Sequence, residues 1–353
     1  MKPLARIRAT LADSLPSLIV MKMKHKILAV WLLFLGLSPA MFAATNAVEI
    51  FRADWLDAAR NRTVPVKIYL PKPAAKPAPV IIFSHGLGGS CEGYGYLGEY
   101  WAGHGYVSVH VQHPGSDSAV WLDSIDGGPM AAMRRSVGNL QNAIDRPRDV
   151  SFAIDRLTAL NRDPSSPLHG RLDLARIGVA GHSFGAFTTL AIAGQTFPAS
   201  GKVNSFADPR VKAALPMSAS VPALKSRLDE TYAPIRIPCL HMTGTEDDSP
   251  LGETKAGQRR VPFDHCKNSD QYLLTLRDAD HMTFAGLGGT VLGGDNDERF
   301  QKLICRCSLA FWDAYLRSDA KAKAWLTNDF KAVLGKDGKF EVKLLAKVKA
   351  SVH

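Results

Sequence analysis

The stretch Ile177-Gly178-Val179-Ala180-Gly181-His182-Ser183-Phe184-Gly185-Ala186-Phe187-Thr188-Thr189-Leu190 decides how this chain folds. Its first four residues are an apolar run that predicts a buried strand, and residues 184–193, rich in Ala and Thr, predict a helix. Between them stands Gly181-His182-Ser183-Phe184-Gly185, a G-x-S-x-G pattern. As a bare pattern it recurs by chance, and a serine opening a helix can be an ordinary N-cap. At a strand-to-helix junction the same five residues predict a sharp turn that exposes the serine hydroxyl at the carboxyl edge of a sheet. Side chains at positions 181 and 185 would crowd that turn. The helix N-terminus offers free N–H groups and partial positive charge where an oxyanion would develop.

Outward from this turn, strand and helix alternate. Upstream, hairpin-like strands end at residues 64–70, and a Pro/Ala/Lys stretch, residues 71–79, reads as a loop. Residues 80–83 and 107–111 read as buried strands separated by a helix near residues 94–103, and a helix is expected near residues 148–160. Downstream come strands at 211–217, 239–243 and 272–276, and a long helix at 299–316. Strands spaced by helices favour right-handed crossovers and a mostly parallel sheet covered on both faces. The expected class is therefore α/β, in a single domain over residues 48–326, with a poorly patterned insertion at 114–146.

The chain has 353 residues, 46% of them hydrophobic and 22% charged, with a formal net charge of +10. This is too apolar for a disordered chain. A basic balance of that size hints at nucleic acid or an anionic surface. Its distribution argues otherwise. Residues 1–47 carry six Lys/Arg against one acid and residues 321–353 carry eight Lys against three acids, which leaves the body between them without net charge. No nucleic-acid partner is expected.

Met23-Lys24-His25-Lys26 precedes an apolar run at residues 27–37 and small residues at Ser38, Ala40, Ala43, Ala44 and Ala47. A basic start, an apolar core of about 7–15 residues and a small-residue exit make a secretory signal peptide. Residues 23–44 are read as that segment, with cleavage within 40–47, and residues 1–22 as an over-extended start. The apolar run falls short of the roughly 20 residues of a membrane span, so none is expected to remain after cleavage. The expected location is periplasmic or secreted. Export would put Cys91, Cys239, Cys266, Cys305 and Cys307 in an oxidising compartment. Cys305 and Cys307, two apart in a helix, point to different faces, so a bridge from Cys266 to one of them is the pairing left open.

A serine nucleophile needs a base and an orienting acid, here expected later in the chain. The downstream histidines are His241, His265, His281 and His353. His241 lies within a predicted strand and reads as structural, and His265 lies in a polar loop. His281, in Asp278-Ala279-Asp280-His281-Met282-Thr283-Phe284, follows a strand end, where ligand-site residues collect in open α/β sheets. It is the expected base. Glu246, Asp247 and Asp248 all follow the strand at 239–243, and spacing does not choose among them; Asp280 reads as a loop-stabilising carboxylate. Ser84-His85-Gly86-Leu87-Gly88-Gly89 leaves the first central strand, and the N–H groups of Leu87 and Phe184 are the expected oxyanion donors. His85 is expected to pack beneath that loop.

Phe83-Ser84-His85-Gly86-Leu87-Gly88 together with Gly181-His182-Ser183-Phe184-Gly185 resembles the α/β-hydrolase family of platelet-activating-factor acetylhydrolases and the bacterial proteins described as dienelactone-hydrolase-like. His113-Pro114-Gly115-Ser116 is similar to a bacterial branch of that group, and the resemblance extends to Phe311-Trp312-Asp313-Ala314-Tyr315-Leu316. It implies an α/β-hydrolase fold and a Ser–Asp–His serine esterase without metal or organic cofactor. The family's G-x-x-D turn falls on Gly244-Thr245-Glu246-Asp247, which carries the acid role to Asp247, with Asp248 in reserve. Dienelactone hydrolases use a cysteine nucleophile, so Ser183 speaks against that substrate. The expected substrate is a small or lipid-like ester, short-chain or polyester. An acyltransferase or amidase using the same triad, or a non-catalytic binding protein on this fold, are the alternatives. Residues 327–353 are read as a Lys-rich tail, either an added edge strand with a solvated face or a module for anionic surfaces.

Overall fold

The computed structural model describes residues 47–72, 76–122, 127–199, 202–222, 225–252, 254–286 and 295–346. The expected start segment, the signal peptide and the last residues of the tail lie outside these. Among the described residues, nine strands form one sheet and a small hairpin stands apart from it. In chain order the strands are β1 (Ala47–Asp57), β2 (Arg62–Lys72), β3 (Ala78–Ser84), β4 (Val107–Val111), β5 (Leu172–His182), β6 (Thr196–Ala199), β7 (Lys202–Ser205), β8 (Val211–Met217), β9 (Cys239–Glu246), β10 (Gln271–Asp280) and β11 (Gly338–Lys343). The large sheet runs β1-β2-β4-β3-β5-β8-β9-β10-β11. Its centre, from β4 through β10, is parallel; β1, β2 and β11 are antiparallel additions at its two ends.

The central strands are apolar on both sides because helices cover both faces. Helices α1 (Gly95–Gly103), α2 (Gly128–Gly138), α3 (Leu140–Arg162), α4 (Phe184–Ala193) and α5 (Asp295–Leu316) are the long ones. Val150, Ile154 and Leu157 of α3 and Leu190 of α4 join Val80, Ile82, Val107 and Val109 in one core. Leu97 and Trp101 of α1 and Ile304, Phe311 and Trp312 of α5 close over Ile81, Phe83, Leu240 and Leu274 in the other. The sheet is thus mostly parallel and flanked on both faces, as the alternation of apolar runs and amphipathic helices predicts.

Helix α3 departs from the sequence reading, while the tail and the cysteines resolve what that reading left open, each for a physical reason. Helix α3 begins at Leu140, eight residues before the expected start, and runs through Pro147. A proline removes one backbone hydrogen bond from a helix. Here the buried positions Asn142, Arg146, Asp149, Val150 and Ala153 hold the helix together across it, so the end of the presumed insertion is a packed helix. Beyond residue 326, the chain keeps packing. Leu326, Phe330, Leu334 and Phe340 are buried, and β11 adds an antiparallel edge to β10, with Leu274 opposite Phe340. Lastly, all five cysteines are buried and free. Cys266 belongs to one core while Cys305 and Cys307 belong to the other, so the sheet lies between the partners of the bridge that sequence left open.

Candidate active site

The turn between β5 and α4 carries Ser183 at φ 57°, ψ −116°. That left-handed conformation costs an L-residue about 1–3 kcal/mol and persists only where surroundings impose it. Three backbone bonds do so: Ser183 N–H donates to Met217 O at 2.9 Å, and Ser183 O accepts from Ala186 N–H at 2.9 Å and Phe187 N–H at 3.2 Å. A methyl group at Gly185 would run into the carbonyl of Ser84, which is why only glycine fits between α4 and β3. The serine side chain is therefore delivered to the carboxyl edge of the sheet by a turn that its flanking glycines permit.

Two other strand ends meet it there. His281, just past β10, has Nε2 2.9 Å from Ser183 Oγ. Its Nδ1 lies 2.7 Å from Oδ1 of Asp247, which follows β9. Asp247 is fully buried, and Thr243 Oγ1 donates to its other oxygen at 2.8 Å. Parallel strands put the exits of β5, β9 and β10 at one edge of the sheet, so residues 98 and 34 positions apart become neighbours. The other candidates fall elsewhere. Asp248 is exposed and pairs with Lys255 at 2.7 Å, and those contacts, led by the Lys255 hydrogen bond, hold its carboxyl below the usual range. Glu246 is exposed. His265 pairs with Asp229 at 2.6 Å, and His241 is buried against Gln271 at 2.9 Å. Asp280 accepts from Thr283 N–H at 2.8 Å within its own loop.

The loop after β3 lies against Ser183. A Cβ on Gly86 would sit 3.4 Å from Ser183 Cβ. In this loop Gly88 N–H donates to Ser116 O at 3.0 Å and Gly89 N–H to Gly86 O at 3.1 Å. Among the described residues, the amides of Leu87 and Phe184 donate to no protein acceptor. His85 is fully buried under the loop, with Nδ1 2.6 Å from Gly86 O and Nε2 accepting from His113 N–H at 3.1 Å. Trp121 rests on the loop from outside, its Nε1–H donating to Gly88 O at 2.7 Å.

Several residues around the site escaped the sequence reading. Arg259, almost fully buried, donates from Nε to Asp247 O at 3.0 Å and from Nη1 to Ser218 O at 2.8 Å, and its Nη2 lies 3.2 Å from His281 Nδ1. It sits in a polar loop, where one arginine among charged neighbours gives no signal. His182, the variable residue before the serine, packs its ring 4.6 Å from that of His281. Gly86 N–H donates to Tyr94 Oη, which is also hydrogen-bonded to His182 Nδ1 at 2.8 Å. Burial, then the neighbouring His281 and Arg259, push the His182 pKa well below that of a free histidine. Arg146 did leave a trace: continuing the apolar stripe Val150–Ile154–Leu157 back by one turn places it on the buried face of α3.

A mostly parallel sheet, flanked on both faces and bearing a serine on a strained turn between a central strand and its helix, defines an α/β hydrolase fold. The comparisons narrow this. A family model described as platelet-activating factor acetylhydrolase, isoform II, matches residues 37–129. A platelet-activating factor acetylhydrolase of Cavia porcellus is 29% identical over 151 residues, covering 36% of this chain and 34% of that protein. The chain thus matches about a third of the length of that curated relative. The chain has the α/β-hydrolase fold and is similar to the platelet-activating factor acetylhydrolases. No helix among the described residues is long and apolar enough to cross a membrane.

Proposed function

We propose that the protein is an exported serine hydrolase of carboxylic esters, with Ser183 as nucleophile, His281 as base and Asp247 as the orienting acid. The observation that carries this reading is the unbroken relay from Ser183 Oγ through His281 to Asp247, at 2.9 Å and 2.7 Å. His281 Nε2 takes the Ser183 proton as Oγ attacks the ester carbonyl. The carboxylate of Asp247 keeps the proton of Nδ1 in place and stabilises the imidazolium that forms. The N–H groups of Leu87 and Phe184 face the carbonyl oxygen as it becomes an oxyanion, a contribution of about 3–4 kcal/mol per donor. The imidazolium then protonates the leaving alcohol, and water releases the acyl group by the reverse sequence.

The similarity to platelet-activating factor acetylhydrolases, hydrolases of an acetyl group by name, supports the ester class. Export rests on the basic and apolar character of residues 23–44, and amino-terminal sequencing of the protein recovered from outside the cytoplasm would read the cleavage point directly. Ser183→Ala should abolish hydrolysis of p-nitrophenyl acetate and butyrate with an unchanged circular dichroism spectrum. Retained turnover in that variant would remove Ser183 from the mechanism. A series from acetate to palmitate, with a polyester film included, then ranks acyl length and alcohol.

A further inference from the structure

Arg146 is a fully buried guanidinium that makes no ion pair among the described residues. Its Nε donates to Thr188 Oγ1 at 3.0 Å, Nη1 to Ser116 Oγ at 2.9 Å, and Nη2 to Ser84 Oγ at 3.1 Å and to the carbonyl of His85. Its Cζ lies 4.5 Å over the ring of Phe184. Burying an arginine against neutral oxygens alone is costly, and charged side chains are otherwise buried with a partner. The carboxylate nearby is already engaged: Asp149, one turn on in α3, takes Arg60, Arg62 and His113 at 2.8–3.0 Å. Burial lowers the Arg146 pKa to about 9, so the charge survives at neutral pH.

The placement of this charge relates it to the chemistry. His85 O, which accepts from Nη2, lies two residues before Leu87, and the ring under Cζ belongs to Phe184 itself. One planar fork thus grips both segments that bear the candidate oxyanion donors, the loop after β3 from its carbonyl side and the start of α4 from its side-chain side. A lysine could supply the charge but not four directed bonds and a stacked face.

We propose that Arg146 is the positioning residue of the oxyanion hole: it fixes the Leu87 and Phe184 amides relative to each other and places an unneutralised positive charge behind the developing oxyanion. The inference rests on the serine-hydrolase reading above. Because it acts on the transition state, its loss is expected in kcat and in the binding of oxyanion mimics, and not in ground-state binding. Arg146→Met should lower kcat on p-nitrophenyl butyrate by about 10- to 100-fold, less than the loss of a donor itself, with KM within about threefold. An alkyl boronic acid, which becomes a tetrahedral anion on Ser183, should bind weaker by the same factor as kcat falls. A non-hydrolysable ether analogue should bind as to the wild type. Arg146→Lys should recover part of both losses together.

Should the Met variant not fold, the Lys variant against wild type carries the same comparison. Either variant keeping wild-type kcat, or losing kcat while the ratio of boronate to ether affinity stays unchanged, overturns the proposal. The underlying reading fails by a different result: a fluorophosphonate probe that does not label Ser183 in the wild type, or turnover retained in Ser183→Ala.

Discussion

Replacing Asp247 and Asp248 by asparagine, one at a time, separates two adjacent carboxylates with opposite surroundings. Asp247 is fully buried with one oxygen 2.7 Å from His281 Nδ1 and the other accepting from Thr243. Asn is nearly the same size, so the cavity stays filled and the fold should stand. What disappears is the negative charge that draws the imidazole proton to Nδ1. Arg259 Nη2, 3.2 Å from that nitrogen, can only donate. Without the carboxylate it claims the Nδ1 lone pair, the proton moves to Nε2, and the base faces Ser183 with the wrong tautomer. Loss of an orienting acid by this route costs about 10⁴-fold in kcat, or about 5.4 kcal/mol of transition-state stabilisation. Asp248 is exposed, bonded to Lys255 and to Ala256 N–H at 2.9 Å, and its replacement should leave kcat within about twofold. The assay is p-nitrophenyl butyrate hydrolysis over pH 6–9, with thermal unfolding as the control for folding. A collapse of activity in Asp248→Asn beside a near-normal Asp247→Asn would refute the assignment and the tautomer argument together.

Two further outcomes follow from the packing. Gly185→Ala would drive a methyl group into the carbonyl of Ser84 and should yield insoluble or strongly destabilised protein, whereas Gly257→Ala, with open space around it, should express as wild type; soluble, active Gly185→Ala would show that the turn can yield. Burial pushes His110 down to about 3 and His113 and His241 down to about 4, from about 6.5 in an unfolded chain. Below pH 6.5 the unfolded chain therefore binds protons that the native state refuses. Stability is full above that pH and falls, by up to about 1.4 kcal/mol per pH unit for each histidine, as pH drops toward 4. Urea midpoints at pH 7.5, 5.5 and 4.5 should decline steadily; equal midpoints would mean that these rings are not buried neutral.

The parts of the site legible in sequence were those fixed by local geometry. A strand-to-helix turn with glycines at 181 and 185 marks Ser183 without any distant residue, because backbone crowding is a property of neighbours along the chain. Strand exits are visible as the ends of apolar runs, which is enough to shortlist His281 and the three acids at the end of β9. Choosing among Glu246, Asp247 and Asp248 is different in kind. Backbone turn geometry there sends one side chain inward and two outward, and only the resemblance to a family pointed to Asp247 beforehand.

By itself, then, the sequence determined the layered α/β class, the position of the candidate nucleophile and the strand ends from which its proposed partners come. Those follow from hydrophobic periodicity and short-range sterics, which act between residues close in the chain. Tertiary structure decided the rest: that α3 continues through Pro147, that of the two readings of the Lys-rich segment the edge strand on β10 is the one formed, and that Arg146 and Arg259 bury their charges beside the site. A charged residue is not itself a mark of burial, and only its place on an apolar stripe, as for Arg146 ahead of Val150, hints at it. Whether it is solvated or enclosed depends on which oxygens the folded chain gathers around it, and these come from segments as distant as Ser84 and Thr188 for Arg146, and Ser218 and His281 for Arg259.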